Sequence, residues 1–137
     1  MYKIVRKEVL NSVTTLMEIE APRVAKAAKP GQFLIVRPTQ ESERIPLTIS
    51  DYNKDKGTVT IVTQIVGASS YDICSLEEGE CFCDLVGPLG VQSGFMELSA
   101  EELKNKRYLF IAGGLGAAPV YPQAKYLHNL GVKLDII

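Results

Sequence analysis

Residues 111–127 read IAGGLGAAPVYPQAKYL and place three glycines between an apolar run and a helix-like run. Residues 107–112 before them (RYLFIA) are nearly all apolar, as a parallel strand covered on both faces requires. After the glycines we predict a helix from Ala117 to Asn129, which Gly131 ends, and a further strand over residues 132–137. Strand, glycine turn, helix and strand in this order predict one βαβ unit.

The glycines themselves, Gly113, Gly114 and Gly116, allow a sharp turn and let a ligand approach the backbone without a Cβ in the way. The N-terminus of the following helix favours phosphate through its free N–H groups and dipole. The full G-x-G-x-x-G pattern is absent, since Ala118 and Pro119 stand where its last glycine is expected. Two interpretations stay open here: a phosphate or dinucleotide site, and a tight strand–helix connection without a ligand.

The first two-thirds of the chain predicts short strands separated by turns. A short helix is expected after Ser69 and Ser70, ending near Glu77. Runs of this kind with frequent turns predict a small antiparallel barrel. Its six predicted strands cover residues 3–9, 13–19, 32–36, 46–50, 58–66 and 80–86.

Composition excludes several classes of protein. Hydrophobic residues make up 46% and charged residues 23%, which is typical of a chain that buries a core. A formal net charge of -1 gives no basic field for nucleic acid. The charged N-terminus is not typical of a signal peptide and no apolar run is long enough to span a membrane, so we expect a cytoplasmic protein without a membrane partner. With three cysteines and a single histidine, His128, we expect no metal site in these residues.

Polar residues at two predicted element starts suggest anion binding by the barrel. Arg44 precedes a predicted strand and can pair bidentately with phosphate oxygens, while Thr48 can bond the polar edge of a ring. Ser69 and Ser70 follow Gly67 at a second helix N-terminus. Arg44 is alternatively a surface arginine among acidic residues, and the serines are alternatively an ordinary helix cap.

Taken in order, these motifs resemble the ferredoxin–NADP reductase superfamily. The resemblance is strongest to the FAD-binding small subunits of two bacterial complexes, the NADH-dependent reduced ferredoxin:NADP oxidoreductase and the NAD-linked dihydroorotate dehydrogenase. It covers the whole chain. The motifs that carry it are Arg44-x-Pro46-Leu47-Thr48, Gly67-x-Ser69-Ser70, Gly87-Pro88-Leu89-Gly90 and Gly113-Gly114-x-Gly116-x-x-Pro119.

The resemblance implies a mainly β chain: a six-stranded antiparallel FAD-binding barrel over residues 1–98, then the first βαβ unit of a Rossmann-like NAD(P)-binding domain over residues 99–137. It implies that Gly113, Gly114 and Gly116 contact the nicotinamide nucleotide. Leu47 stands where the wider superfamily has an aromatic residue that stacks on the flavin. The implied FAD contacts are Arg44, Gly67, Ser69 and Ser70 at the diphosphate, Pro46, Leu47 and Thr48 along the isoalloxazine, with Thr48 near N5, and Val62, Thr63 and Gln64 at the adenosine-side half.

The function that the resemblance implies is electron transfer between NAD(P)H, FAD and an iron–sulfur centre or partner subunit. The partners would be a larger oxidoreductase subunit and ferredoxin, with no catalytic acid or base in this chain. We expect the chain to be truncated and inactive alone, with any [2Fe–2S] centre in the missing C-terminal part. Two alternatives stay open, a dihydroorotate dehydrogenase electron-transfer subunit and a non-catalytic barrel that has lost flavin.

A lone βαβ unit leaves apolar surface uncovered, so we also expect self-association. The residues expected to need a further surface are Tyr108, Phe110, Ile111, Val120 and Leu127.

Overall fold

The structure is a computed structural model that describes residues 1–137. It has ten strands and four α-helices, with short 3₁₀ turns at Gly94–Glu97 and Gly114–Gly116. The strands are β1 (Tyr2–Asn11), β2 (Thr14–Glu20), β3 (Phe33–Arg37), β4 (Ile45–Thr48), β5 (Asp51–Asn53), β6 (Thr58–Gln64), β7 (Cys81–Phe82), β8 (Asp84–Leu89), β9 (Tyr108–Phe110) and β10 (Leu134–Ile136). The helices are α1 (Pro22–Ala27), α2 (Ala68–Ser75), α3 (Ala100–Lys104) and α4 (Ala117–Asn129).

Strands β1 to β8 form two antiparallel sheets, in the orders β5-β6-β2-β1-β7 and β4-β3-β8. Only Ile49 and Ser50 separate β4 from β5, and only Cys83 separates β7 from β8. Each of these two passages of chain therefore leaves one sheet and enters the other. Counted as one strand each, they close the two sheets into six antiparallel strands, and the predicted barrel is confirmed.

The barrel interior follows from alternation along its strands. In β6 the side chains of Val59, Ile61 and Thr63 are buried, while Val62 and Gln64 between and after them are partly exposed. This period of two, on β-branched residues that suit a pleated surface, gives the strand one core face and one outer face. The buried cluster of the barrel comprises Ile4, Met17, Ile19, Ala21, Val24, Ala25, Ala28, Leu34, Val36, Ile49, Val59, Ile61, Ile73, Phe82 and Leu85.

The βαβ unit is present as predicted. β9 and β10 pair in parallel, and α4 between them has the predicted bounds. Ser99 begins α3, and its hydroxyl accepts a hydrogen bond from the Glu102 N–H while the Glu102 carboxylate accepts one from the Ser99 N–H. The second buried cluster is much smaller than the first and comprises Leu103, Leu127 and Val132.

Three details differ from the sequence-based expectations. The sequence analysis missed α1, whose Val24 and Ala25 are buried in the barrel core. Ser69 and Ser70 do not precede α2 but lie in its first turn, after Gly67 at the N-cap. Leu127 was expected to need a further surface but is fully buried. Of the others in that set, Ile111 is exposed and Tyr108, Phe110 and Val120 are partly buried. The further exposed apolar side chains of the βαβ unit are Leu109, Leu115, Tyr121, Ile136 and Ile137.

Polar contacts join α4 to the barrel. The Lys125 ammonium donates to both carboxylate oxygens of Asp51, at 2.9 and 2.8 Å. The Ser93 hydroxyl donates to the Gln123 side-chain oxygen at 2.8 Å. These two links fix the helix beside β5, so the glycine turn at its N-terminus faces the outer surface of the barrel. None of the helices is long and apolar enough to cross a membrane.

Candidate functional site

A cleft of about 570 Å³ lies between the outer face of the barrel and the glycine turn of the βαβ unit. Its barrel wall comes from β1, β2, β5 and β6, and its other wall from the glycine turn and the start of α4. The lining mixes apolar side chains with polar and charged ones, as small-molecule sites commonly do. The lining residues are Arg6, Leu10, Asn11, Thr14, Leu16, Ser50, Asp51, Thr60, Val62, Gln64, Gly114, Leu115, Ala117, Ala118 and Tyr121.

The cleft brings together predicted residues from the barrel and from the βαβ unit. Val62 and Gln64 lie on one wall, and Gly114 lies on the other. Thr63 does not join them, because it points to the opposite face of β6 and is only 4% exposed. Its buried hydroxyl has no hydrogen-bond partner within the protein.

The predicted ring-binding residues on β4 face different ways. Pro46 is exposed and Thr48 is partly exposed, whereas the Leu47 side chain packs against the barrel core. A β-strand places neighbouring side chains on opposite faces, so Leu47 cannot share the outer face with Pro46 and Thr48. A ligand on this strand would meet the side chains of Pro46 and Thr48 and only the backbone of Leu47. None of the three lines the cleft.

Arg44 is held by a carboxylate from another strand. Its Nη1 donates to Asp84 Oδ2 at the start of β8. The hydrogen bond from Arg44, and then the charges of Arg44 and Arg37, hold the pKa of Asp84 below its usual value despite some desolvation. The other nitrogens of the Arg44 guanidinium make no hydrogen bond within the protein, and its side chain is 51% exposed. Arg44 can therefore keep Asp84 and still donate to an anion.

The start of α2 is a helix N-terminus whose two serines, Ser69 and Ser70, are both hydrogen-bonded within the protein. The Ser70 hydroxyl accepts hydrogen bonds from the N–H groups of Val66 and Gly67, at 2.8 and 3.0 Å, so this serine is a cap of the kind considered as the alternative. The Ser69 hydroxyl donates to the carboxylate of Glu43. A Cβ built on Gly67 would meet no protein atom within 4 Å. The protein thus leaves open space beside this turn.

The glycine turn after β9 also faces open space. A Cβ at Gly87, elsewhere in the chain, would lie 2.9 Å from the Leu34 Cβ, so the protein's own packing requires glycine there. Cβ atoms at Gly113 and Gly116 would meet nothing within 4 Å, and their φ angles of -105° and -60° suit any residue. Only Gly114, at φ +53°, needs glycine for its backbone. Neither packing nor backbone conformation therefore explains why Gly113 and Gly116 are glycines.

Sequence reasoning missed several polar groups at these sites. Glu43 and Asp84 contact the predicted anion-binding side chains, and Arg6, Asp51 and Tyr121 line the cleft. Glu43 was visible only as an acidic neighbour of Arg44, because its partner lies 26 residues further along. No group of three or more His, Cys, Asp or Glu side chains is placed to hold a metal ion.

Comparisons with known proteins find similar sequences and structures. No family model matches the chain. It is 55% identical over 137 residues to an uncharacterised protein in the adh 3' region of Clostridium beijerinckii, covering all of this chain and 46% of the relative. It is 38% identical over 120 residues to a dihydroorotate dehydrogenase B (NAD⁺) electron transfer subunit homolog of Thermotoga maritima, covering 87% of this chain and 40% of the relative.

A solved structure of the NADH-dependent reduced ferredoxin–NADP oxidoreductase, described for its flavin-based electron bifurcation, matches with a TM-score of 0.88 and 34% identity. The match covers 99% of this chain and 47% of that one. The chain thus spans less than half the length of each of these three proteins. Fold, motif order and similarity to flavin electron-transfer proteins agree, and the resemblance of this chain to the ferredoxin–NADP reductase superfamily is confirmed.

Proposed function

We propose that this chain is the flavin-binding part of an electron-transfer subunit of the ferredoxin–NADP reductase type, an FAD-dependent NAD(P)H oxidoreductase. The observation that carries the proposal is the open space at Gly113 and Gly116, where neither packing nor backbone conformation requires glycine. A tight connection without a ligand would use glycine to avoid clashes with the protein itself. Gly114, between these two, lines the cleft, so the turn leaves room there for a ligand.

The barrel residues fit an FAD whose diphosphate lies between Arg44 and the start of α2. Arg44 has free donors, and the helix N-terminus offers N–H groups and a favourable dipole. Pro46 and Thr48 would meet the ring from the outer face of β4, and Leu47 through its backbone. Strand β6 would contact the adenosine-side half of FAD through Val62, Thr63 and Gln64. Thr63 would contribute only its backbone, because its side chain is buried. Gly67, Ser69 and Ser70 would complete the diphosphate site.

Electron transfer requires the nicotinamide nucleotide to approach the flavin. The turn of Gly113, Gly114 and Gly116 would admit it, with Gly114 on the far wall of the cleft, and the docking of α4 on β5 would hold that wall in place. Bound FAD supplies the conversion between hydride transfer and single-electron steps. The role of this chain is to bind, orient and exclude water. Electrons would leave to an iron–sulfur centre outside these residues, in complex with a larger oxidoreductase subunit or ferredoxin.

A second candidate is the electron-transfer subunit of a dihydroorotate dehydrogenase, because the Thermotoga relative carries that description. The two candidates share the same barrel, and they differ in the protein that receives or supplies electrons. Reconstitution of the whole protein with a dihydroorotate dehydrogenase catalytic subunit, or with ferredoxin, separates them. Electron flow to only one of these partners identifies the function.

Two further features belong to this proposal. We infer a domain boundary between the barrel, residues 1–98, and the βαβ unit, residues 99–137. Phe95 and Leu98, just before this boundary, pack against the buried cluster of the βαβ unit. We also infer that Leu109, Ile111 and Ile137, which are 57%, 75% and 74% exposed, drive association between copies of this chain.

An absorbance spectrum of the purified chain, recorded again after adding FAD and dialysing, tests the flavin proposal. The expected result is one flavin per chain, and Arg44→Ala should weaken FAD binding about tenfold through loss of a charge-assisted contact. Arg107→Ala is the matched control, because Arg107 is also a surface arginine paired with an aspartate, Asp135, but lies in the βαβ unit. Absence of flavin after reconstitution would favour the alternative of a non-catalytic barrel.

A further inference from the structure

Arg44 and Ser69, both predicted to bind the diphosphate, each contact a carboxylate, but the two contacts leave them different capacities for a further hydrogen bond. Asp84 occupies one nitrogen of Arg44 and leaves the others free. Glu43 instead contacts Ser69, whose single hydroxyl proton is fully used by this contact. An anion can therefore join Arg44 without displacing Asp84, but cannot accept from Ser69 until Glu43 leaves.

Glu43 reaches the first turn of α2, the end of the helix that favours negative charge. Ser69 is the second residue of α2, and Glu43 reaches it from the exposed loop before β4. Among the first N–H groups of a helix, a negative oxygen is stabilised both by hydrogen bonding and by the dipole. The Glu43 carboxylate is a negative group that the chain itself brings to this first turn, through the Ser69 hydroxyl.

We propose that Glu43 is a built-in competitor for the FAD diphosphate, occupying the start of α2 until the cofactor displaces it. This inference rests on the proposed flavin function. It makes Glu43 a residue that sets cofactor affinity, because each binding event must break the Ser69–Glu43 contact and bring two phosphate charges near a carboxylate. Glu43 and Arg44 are adjacent, so the same short loop presents one residue that attracts the diphosphate and one that opposes it.

The Glu43→Gln variant tests the proposal, because it removes the charge and keeps the shape of the side chain. The full chain, freed of flavin, is titrated with FAD and separately with riboflavin, which has the same ring but no phosphate. We expect the FAD dissociation constant to fall about fivefold, with riboflavin binding unchanged and the FAD gain reduced at high salt. Glu43→Ala, which removes both charge and acceptor, should change FAD binding in the same direction.

Glu41→Gln is the matched control, since Glu41 is exposed in the same loop and makes no hydrogen bond within the protein. An FAD affinity of Glu43→Gln equal to or weaker than that of Glu41→Gln would overturn the inference while the flavin function stands. FAD binding by Glu43→Gln alone, with none by wild type, would support it strongly. If neither wild type nor either Glu43 variant binds FAD, the proposed function fails and the inference fails with it.

Discussion

The barrel and the βαβ unit differ in how completely they bury their own apolar surface. The barrel is a closed set of six antiparallel strands around a core of fifteen buried residues. The buried cluster of the βαβ unit has only three residues, and its two-stranded sheet keeps an open edge on each strand. The barrel can therefore specify its structure through its own core, whereas the βαβ unit depends on its contacts with the barrel and on further surface. In the proposed function, bound ligands contact both the barrel and the βαβ unit across the cleft.

The largest expected effect separates the two cores. Phe82→Ala should remove about 3–5 kcal/mol from the free energy of unfolding, because Phe82 is fully buried in the barrel cluster. Urea denaturation measures this loss, and the midpoint of unfolding of the whole chain should shift to a lower urea concentration. Leu127→Ala, equally buried in the second cluster, should instead raise amide exchange mainly within residues 103–134. Equal loss of protection throughout the chain in both variants would show that the two cores are not distinct.

The exposed face of the βαβ sheet gives the next effect. Leu109→Lys should weaken association between copies of the chain about tenfold or more, because it places a charge on an apolar surface. Sedimentation velocity over a range of concentrations measures this. Val91→Lys is the control, since Val91 is 86% exposed outside the βαβ sheet. A wild-type chain that stays monomeric at high concentration would contradict the prediction.

The ion pair between the two regions should contribute less. Lys125→Met should cost about 0.5 kcal/mol, because the Lys125 and Asp51 side chains are 41% and 29% exposed and solvent screens their attraction. Burial alone would lower the pKa of Lys125, but the hydrogen bond and charge of Asp51 outweigh it, so this pKa lies above its usual value. The stabilisation is therefore present at neutral pH and is lost as the pH rises through the raised pKa of the folded protein.

The difference in unfolding free energy between wild type and Lys125→Met, measured at increasing alkaline pH, checks this sign. It should shrink as Lys125 loses its proton. A difference that grows towards high pH would contradict the assigned role.

The smallest effect lies wholly within the barrel. The Arg44 hydrogen bond lowers the pKa of Asp84, so any stabilisation from the pair is present above the ordinary aspartate pKa and is lost as the pH falls through the lowered value. NMR titration of the Asp84 carboxyl carbon should show a midpoint below that of an ordinary aspartate, and Arg44→Ala should raise it. An unchanged midpoint in Arg44→Ala would mean that another group sets the pKa.

Local sequence signals predicted the elements of both regions well. The glycine turn and Gly131 bounded α4, and the β-branched run of residues 58–64 is the core strand β6. The missed helix α1 has a signal that was available, since Pro22 occupies its first turn, where proline is favoured. The break at Ile49 and Ser50, which lets one passage of chain serve both sheets, has no local signature.

The candidate site was less predictable because its geometry depends on contacts between distant residues. The sequence suggested Arg44 and Ser69 as anion-binding residues, which stays a prediction, but it did not show that Asp84 and Glu43 contact them from 40 and 26 residues away. The inward direction of Leu47 follows from strand alternation once the register with Leu34 on β3 is known, and the sequence alone does not give that register. Residue types at turns were predictable, and their partners were not.

Hydrogen exchange of the full chain with and without FAD tests whether the barrel is the flavin-binding region, because it shows which backbone amides the bound flavin protects. If the barrel binds the flavin, exchange should slow over residues 44–48 and 62–70, in β4 and around the start of α2, and stay unchanged over residues 134–136 in β10. Protection confined to the βαβ unit, or no protection at saturating FAD, would contradict the assignment of the barrel as the flavin-binding region.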